Sequence, residues 1–355
     1  MSRRNVFLLF YALGVGAVIC LFLGVVLLLD GRTVYAWFEK ALVTQPSISS
    51  TAIVQAPTQV PVTPSASATA TPTPMCGGPP TMILTLLGLD SRADSYYAGL
   101  ADSIRLVRVD FIEPGVMVLP FPRDLYVEIP GLVEHGITHG KLNQGYTYGT
   151  PAFGYIDEPN QGLGLMAKTM EYNFDVHVDN GIAINLQSFI RIVDVLGGID
   201  IYLPYTVDGR VEGSRDSDLY FEAGNHHLDG YRTQLLARLR PNGDIERTNM
   251  QNRILQVISL KLLSPAVLSN LPELINASRD SIFTDLEPVQ IAQLTCLASR
   301  LDQGDIVYVT FPEELFQGTR VQDPVLGNTF VWDVDFDVLQ SYLEAFKNGT
   351  WPDAP

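Results

Sequence analysis

Cysteine is nearly absent from this 355-residue chain. Cys20, Cys76 and Cys296 are too few for a disulfide scaffold and lack the CxxC spacing of a structural zinc site. Basic residues are scarce as well, 23 Lys and Arg against 39 Asp and Glu, and the resulting net charge of −16 repels a polyanion. Non-specific nucleic-acid binding is therefore a poor reading. Two stretches lack charge altogether. Residues 5–29 (NVFLLFYALGVGAVICLFLGVVLLL) carry none, over a length that at about 1.5 Å per helical residue crosses a hydrocarbon layer of about 30 Å. Residues 41–89 carry none either, and their stretch TQVPVTPSASATATPTPMCGGPP has the composition of an extended spacer that cannot bury a core.

The first of these runs reads as a retained transmembrane helix, because it exceeds the roughly 7–15 apolar residues of a cleaved signal. Arg3 and Arg4 precede it, whereas Asp30 and Arg32 after it nearly cancel, so the short N-terminus stays in the cytoplasm. The expected order is then residues 1–4 inside, 5–29 across the membrane, a Pro/Thr/Ser/Ala-rich linker over 30–80, and a folded domain over 81–350 outside. Cys20 falls in the span. Cys76 and Cys296 either pair in that oxidising space or remain two thiols.

Within the folded part, TMILTLLGLD reads as a first strand ending at Asp90, and SIRLVRVDFI turns at Glu113-Pro114-Gly115 into VMVLPFPRDLYVEI, the pattern of a hairpin or sheet meander. Asn185 is placed to cap a helix whose Phe189, Ile192, Val193 and Leu196 share a face, with Gly197-Gly198 as its stop. The strand IDIYLP follows. Asp229 and Asp244 look like caps for helices carrying YRTQLLARLR and IERTNMQNRILQVISLKLL, and Asp285 for a third before the strand IVYVTF. This alternation predicts a layered α/β domain, preceded by the one transmembrane helix.

In so acidic a chain the informative side chains are the basic ones. Arg238, Arg240 and Arg247 fall within ten residues, and arginine is the side chain suited to a bidentate grip on phosphate. Arg247 should lie in a first helical turn, where free N–H groups also attract an anion. The competing reading is a solvated helix face with ordinary i,i+4 pairs. Asp90 and Asp102 can likewise be turn or cap aspartates.

The ordered set LLGLDSR, ADS, LPFPRDLYVEIPG, GKLNQGYTYG, FIRIVDVLGGIDIYLP and HHLDGYRTQLLARLRPNGDIERTNMQNRIL resembles the LytR-CpsA-Psr family of membrane-anchored cell-wall enzymes, most strongly over 81–263 and more weakly over 264–350. The resemblance implies a single α-β-α domain with a central mixed sheet. It also implies a phosphotransferase at the outer face of a bacterial membrane that joins a glycopolymer, carried on a polyprenyl-pyrophosphate lipid, to peptidoglycan, with pyrophosphatase activity as a further outcome of the same site. By the matching motifs, Asp90 and Asp102 hold Mg²⁺, or Mn²⁺ in its place. Arg123, Arg238, Arg240 and Arg247 clamp phosphate, with Arg92, Lys141 and Gln251 in matching segments. Arg123, Arg238 and Asp244 are the catalytic candidates, Asp244 to orient or deprotonate the acceptor hydroxyl.

These roles suit the chemistry. Mg²⁺ takes one or two carboxylates plus phosphate oxygens and water, and arginines neutralise the charge that develops in phosphoryl transfer. Two positions depart from the family pattern, Met250 and Leu100, where basic residues are usual. They keep open a catalytically silent lipid-binding module; a regulatory envelope protein of the transcriptional-attenuator type is a separate alternative. His226 and His227 invite a general-base reading, against which stands the absence of a nucleophile with matching context. Apolar residues of 163–196 could line a tunnel for the lipid tail or simply form core.

Overall fold

Among the described residues, fourteen strands and seven α-helices carry out that alternation. The strands are β1 (Thr81–Leu89), β2 (Ala101–Asp110), β3 (Gly115–Phe121), β4 (Tyr126–Glu128), β5 (His139–Lys141), β6 (Asn180–Asn185), β7 (Ile199–Leu203), β8 (Val207–Asp208), β9 (Tyr220–Phe221), β10 (Gly224–Leu228), β11 (Ile282–Thr284), β12 (Ile306–Tyr308), β13 (Phe316–Asp323) and β14 (Gly327–Val334). The helices are α1 (Gln144–Tyr148), α2 (Gln161–Phe174), α3 (Leu186–Val195), α4 (Gly230–Arg238), α5 (Asp244–Leu262), α6 (Pro288–Ala298) and α7 (Phe336–Asn348). This computed structural model describes residues 72–91, 96, 98–211, 214–240, 243–262, 282–301 and 303–351. The span at 5–29 and the linker up to residue 71 lie outside them. Among the described residues no helix is long and apolar enough to cross a membrane.

Six strands form the central sheet in the order β11-β6-β1-β2-β3-β12. The pairs β1–β6 and β3–β12 are parallel and the others antiparallel, so the sheet is mixed. Along β2 and β3 alternate residues enter two different cores. Val107, Val109, Val116 and Val118 face one, covered by α3, α4, α5 and α6 through residues such as Val193, Leu236, Ile254 and Leu294. Ile104, Leu106, Met117 and Leu119 face the other, covered by α1, α2 and α7 through Tyr146, Met166 and Phe346. Helices on both faces make three layers, as a sheet with two apolar faces requires.

Local signals place most elements. Asp110 Oδ1 accepts from the Ile112 and Glu113 amides at 2.8 and 2.9 Å, closing the β2–β3 turn. Asn185 Oδ1 caps α3 by accepting from the Ser188 amide at 2.8 Å. Gly197 and Gly198 both take the left-handed backbone, φ 72° and 76°, that stops this helix. Asp229 caps α4 through the Arg232 amide at 2.7 Å. Two cap assignments shift. Asp244 is the first residue of α5, with the Gly243 carbonyl accepting from the Arg247 amide at 3.3 Å. Asp285 does not cap α6. It binds Gly181 and Asn160 on neighbouring segments, and Glu287 and Gln290 form a capping box instead.

Cys76 and Cys296 are joined in a disulfide, with their Cα atoms 5.7 Å apart. Packing thus begins before Thr81: the Met75 amide also donates to the Phe111 carbonyl at 2.7 Å.

Candidate active site

The mixed sheet brings four chain segments to one end. β1 finishes at Leu89, opposite Ala101 of antiparallel β2 and opposite Asn185 of parallel β6, and β3 finishes at Phe121 opposite Ile104. Asp90, Asp102 and Arg123 therefore emerge together at the carboxyl end of β1, a common ligand position in open α/β sheets.

Asp90 and Asp102 are held by the backbone of one residue between them, Leu100. The amides of both donate to the Leu100 carbonyl at 3.0 Å, and the Leu100 amide donates to Asp90 Oδ1 at 2.7 Å. Leu100, a position where a basic side chain was expected, thus serves the site through its backbone. Asp102 Oδ1 accepts from Arg123 Nη1 at 2.6 Å. Each aspartate keeps its second carboxylate oxygen without a partner among the described residues, and both face one cavity. Two such carboxylates match a cation that completes its shell with phosphate oxygens and water. Among the described residues no cluster of three or more His, Cys, Asp or Glu forms a metal cage.

Arg123 is fixed from behind. Its Nε donates to Asp124 Oδ2 at 3.1 Å, and Asp124, 5% exposed, accepts from Lys141 Nζ on Oδ1 at 2.8 Å. Lys141 lines neither cavity at the site, so the structure places it as a support of Arg123 through Asp124.

The larger cavity, about 510 Å³, runs between the sheet and helices α3, α4 and α5. Its depth is apolar, with Leu86, Ile184, Phe189, Leu235, Ile254 and Leu255, while Asp90, Asp102, Arg238, Arg240 and Arg247 stand in its wall. Of the segment 163–196 only residues 184–186 and 189 reach it. Leu163, Leu165, Met166, Met170 and Phe174 are buried on the opposite face of the sheet, because α2 covers that face. Arg238 closes α4 and is exposed, without an ion pair among the described residues. Arg247, 6% exposed, sits in the first turn of α5. Arg92 and the Asp244 side chain lie outside the described residues. Met250, where a basic residue was expected, is 5% exposed and packs in the core, so its helical position points away from solvent.

A smaller pocket of about 110 Å³ shares Asp102, Ser103, Arg105, Arg247 and Gln251 with the larger one. Beyond that shared wall it is lined by Arg123, Asn249, Thr310, Glu313, Phe316 and Trp332. The β13–β14 hairpin reaches it because the Trp332 amide donates to the Asp124 carbonyl at 2.9 Å, tying the hairpin to the segment that carries Arg123.

Arg105 was not singled out by the sequence reading. It is 2% exposed and donates from Nη2 to Gln251 Oε1 at 3.3 Å and to Asn252 Oδ1 at 3.1 Å, from Nε to Asn252 Oδ1 at 3.3 Å, and from Nη1 to Ser103 Oγ. Burial, with a smaller contribution from nearby Arg247, draws its pKa down to about 10. The signal was present in SIRLVRV, where a charge interrupts a strand otherwise read as core. Gln251 in turn donates to the Ala237 carbonyl at 3.0 Å, linking β2, α5 and α4. His226 and His227 lie on β10, hydrogen-bonded with the Glu222 carbonyl at 2.6 Å and with Asp200 at 2.8 Å, and line neither cavity.

A model of the LytR_cpsA_psr family matches residues 66–348. Among curated proteins, the chain is 28% identical over 213 residues to the Bacillus cereus (strain AH820) polyisoprenyl-teichoic acid–peptidoglycan teichoic acid transferase TagU, covering 59% of this chain and 61% of that one. The chain thus spans about three fifths of the length of that relative. Among solved structures it resembles B. subtilis TagV, at 20% identity and a TM-score of 0.58, covering 76% of this chain and 97% of that one. It also resembles TagT bound to LI-WTA, at 19% identity and a TM-score of 0.53, covering 80% and 98%. These two likenesses speak to the fold.

Proposed function

The chain belongs to the LytR_cpsA_psr family, and from that premise we propose that it transfers a glycopolymer from a polyprenyl-pyrophosphate carrier to peptidoglycan at the outer face of a bacterial membrane, anchored by residues 5–29. The observation that carries this reading is the continuity of an apolar cavity with a wall of two aspartates and four arginines. A prenyl tail fits the depth and a pyrophosphate the wall, a pairing that neither a soluble sugar phosphate nor a plain lipid demands. The relative named as a teichoic acid transferase supports the substrate class.

In this reading the acceptor hydroxyl attacks the phosphorus next to the glycopolymer, a new phosphodiester forms, and the bond to the lipid-side phosphate breaks. Polyprenyl phosphate leaves. Asp244, at the start of α5, takes the hydroxyl proton. Arg123, in the wall of the smaller pocket, and Arg247, in the wall common to both cavities, meet the charge that develops on the phosphoryl oxygens; Arg238 and Arg240 hold the lipid side. Asp90 and Asp102 would hold Mg²⁺, which when bound neutralises pyrophosphate charge. The smaller pocket, with Trp332 and Phe316 as aromatic surfaces and Glu313 and Asn249 as polar partners, admits the acceptor sugar.

The test is reconstitution of the purified full chain with a lipid-linked glycopolymer, peptidoglycan fragments and Mg²⁺. A phosphodiester-linked product, absent with Asp102→Ala, is expected. Tight lipid binding with no product in either protein would leave a binding module and overturn the transfer.

A further inference from the structure

Arg105 is the deepest charge at the site, and its surroundings do not balance it. Four of its five N–H donors go to Ser103, Gln251 and Asn252, all neutral, and no carboxylate pairs with it among the described residues. Two titratable neighbours act on it: Tyr308 favours its charged form, and Arg247, of the same sign and 6% exposed, opposes it. Removing a guanidinium from water costs several kcal/mol unless an opposite charge compensates. Arg105 nevertheless stands, beside Arg247, in the wall common to the two cavities.

Resting on the reading above, we propose that Arg105 is an anion-binding residue of the pyrophosphate site, its charge compensated by a phosphoryl oxygen where the two cavities meet. The remaining Nη1 N–H is its donor to the ligand. The three neutral partners hold the planar fork without cancelling its charge, which leaves the attraction for the ligand undiminished. Through Gln251 the same guanidinium couples the β2 end that carries Asp102 to the α4 end that carries Arg238.

The experiment compares the full chain with Arg105→Met and Arg105→Lys, using inorganic pyrophosphate and geranylgeranyl pyrophosphate as probes, read by calorimetric affinity and by the ligand-induced rise in melting temperature. Arg105→Met should weaken inorganic pyrophosphate at least tenfold and abolish most of the ligand-induced rise. Arg105→Lys should recover part of both, because it keeps the charge and loses the fork. A folded Arg105→Met protein that binds both probes as the wild type does would overturn the proposal and leave Arg105 a structural residue. If Arg105→Met does not fold, a loss of less than threefold in Arg105→Lys would overturn it. The prenyl tail reports separately on the function: a wild type that prefers geranylgeranyl pyrophosphate to inorganic pyrophosphate supports the lipid reading, and equal affinities would overturn that reading while the Arg105 effect still stands on the inorganic arm.

Discussion

Arg123 and Asp102 hold each other, Nη1 to Oδ1 at 2.6 Å, so a candidate phosphate-binding cation and a candidate metal-binding anion share one preorganised unit at the end of the sheet. Arg123 is fixed further by Asp124 and, through it, Lys141. Such a unit meets incoming charge without rearranging, which is what electrostatic stabilisation of a transition state requires.

Arg123→Ala is expected to reduce kcat for transfer by about 10²–10³, the usual cost of removing a donor to developing charge. Arg123→Lys should restore only part, since lysine lacks the fork that spans Asp102 and Asp124. Steady-state kinetics with a lipid-linked glycan decides: unchanged kcat with a raised KM would make Arg123 a ground-state contact.

Asp102→Ala should abolish Mg²⁺-dependent transfer and change stability by no more than about 1 kcal/mol, because the pair with Arg123 is partly exposed. Activity against Mg²⁺ concentration, with urea denaturation alongside, checks both statements. Full activity would make Asp102 only an anchor for Arg123.

Leu255→Trp places a bulky indole ring at the apolar cavity from α5. Affinity for a prenyl pyrophosphate should fall at least tenfold and affinity for inorganic pyrophosphate should hold, because the arginine wall is untouched. Equal losses would mean that the ring disturbs the whole site.

Trp332→Ala should raise KM for the peptidoglycan acceptor several-fold while lipid affinity stays constant, since Trp332 lines the smaller pocket alone. A loss in lipid affinity would reassign that pocket to the donor's sugar.

Reduction of the Cys76–Cys296 disulfide, which closes a loop of 220 residues, should lower stability by about 2–5 kcal/mol. Denaturant midpoints with and without reductant, and with Cys296→Ser, measure it. Coincident curves would show that the bond contributes nothing.

Sequence by itself determined what depends on neighbours in the chain. The β2–β3 turn at Asp110, the Asn185 cap and the Gly197-Gly198 stop are set within four residues, so their signals survive without any knowledge of the fold. The clustering of Asp90, Asp102, Arg123, Arg238 and Arg247 was legible only as motifs; the pairing of β1, β2 and β3 brings the segments of the first three to one end, and the packing of α4 and α5 on that sheet adds the two arginines. Tertiary structure alone decided the rest. It sent Asp285 to Gly181 and Asn160 instead of a helix end, put Lys141 behind Asp124, and turned Met250 into the core and Arg105 into the wall of the site. Each of these is a choice of partner across more than a dozen residues of chain, and hydrophobic periodicity says which face is buried without saying against what.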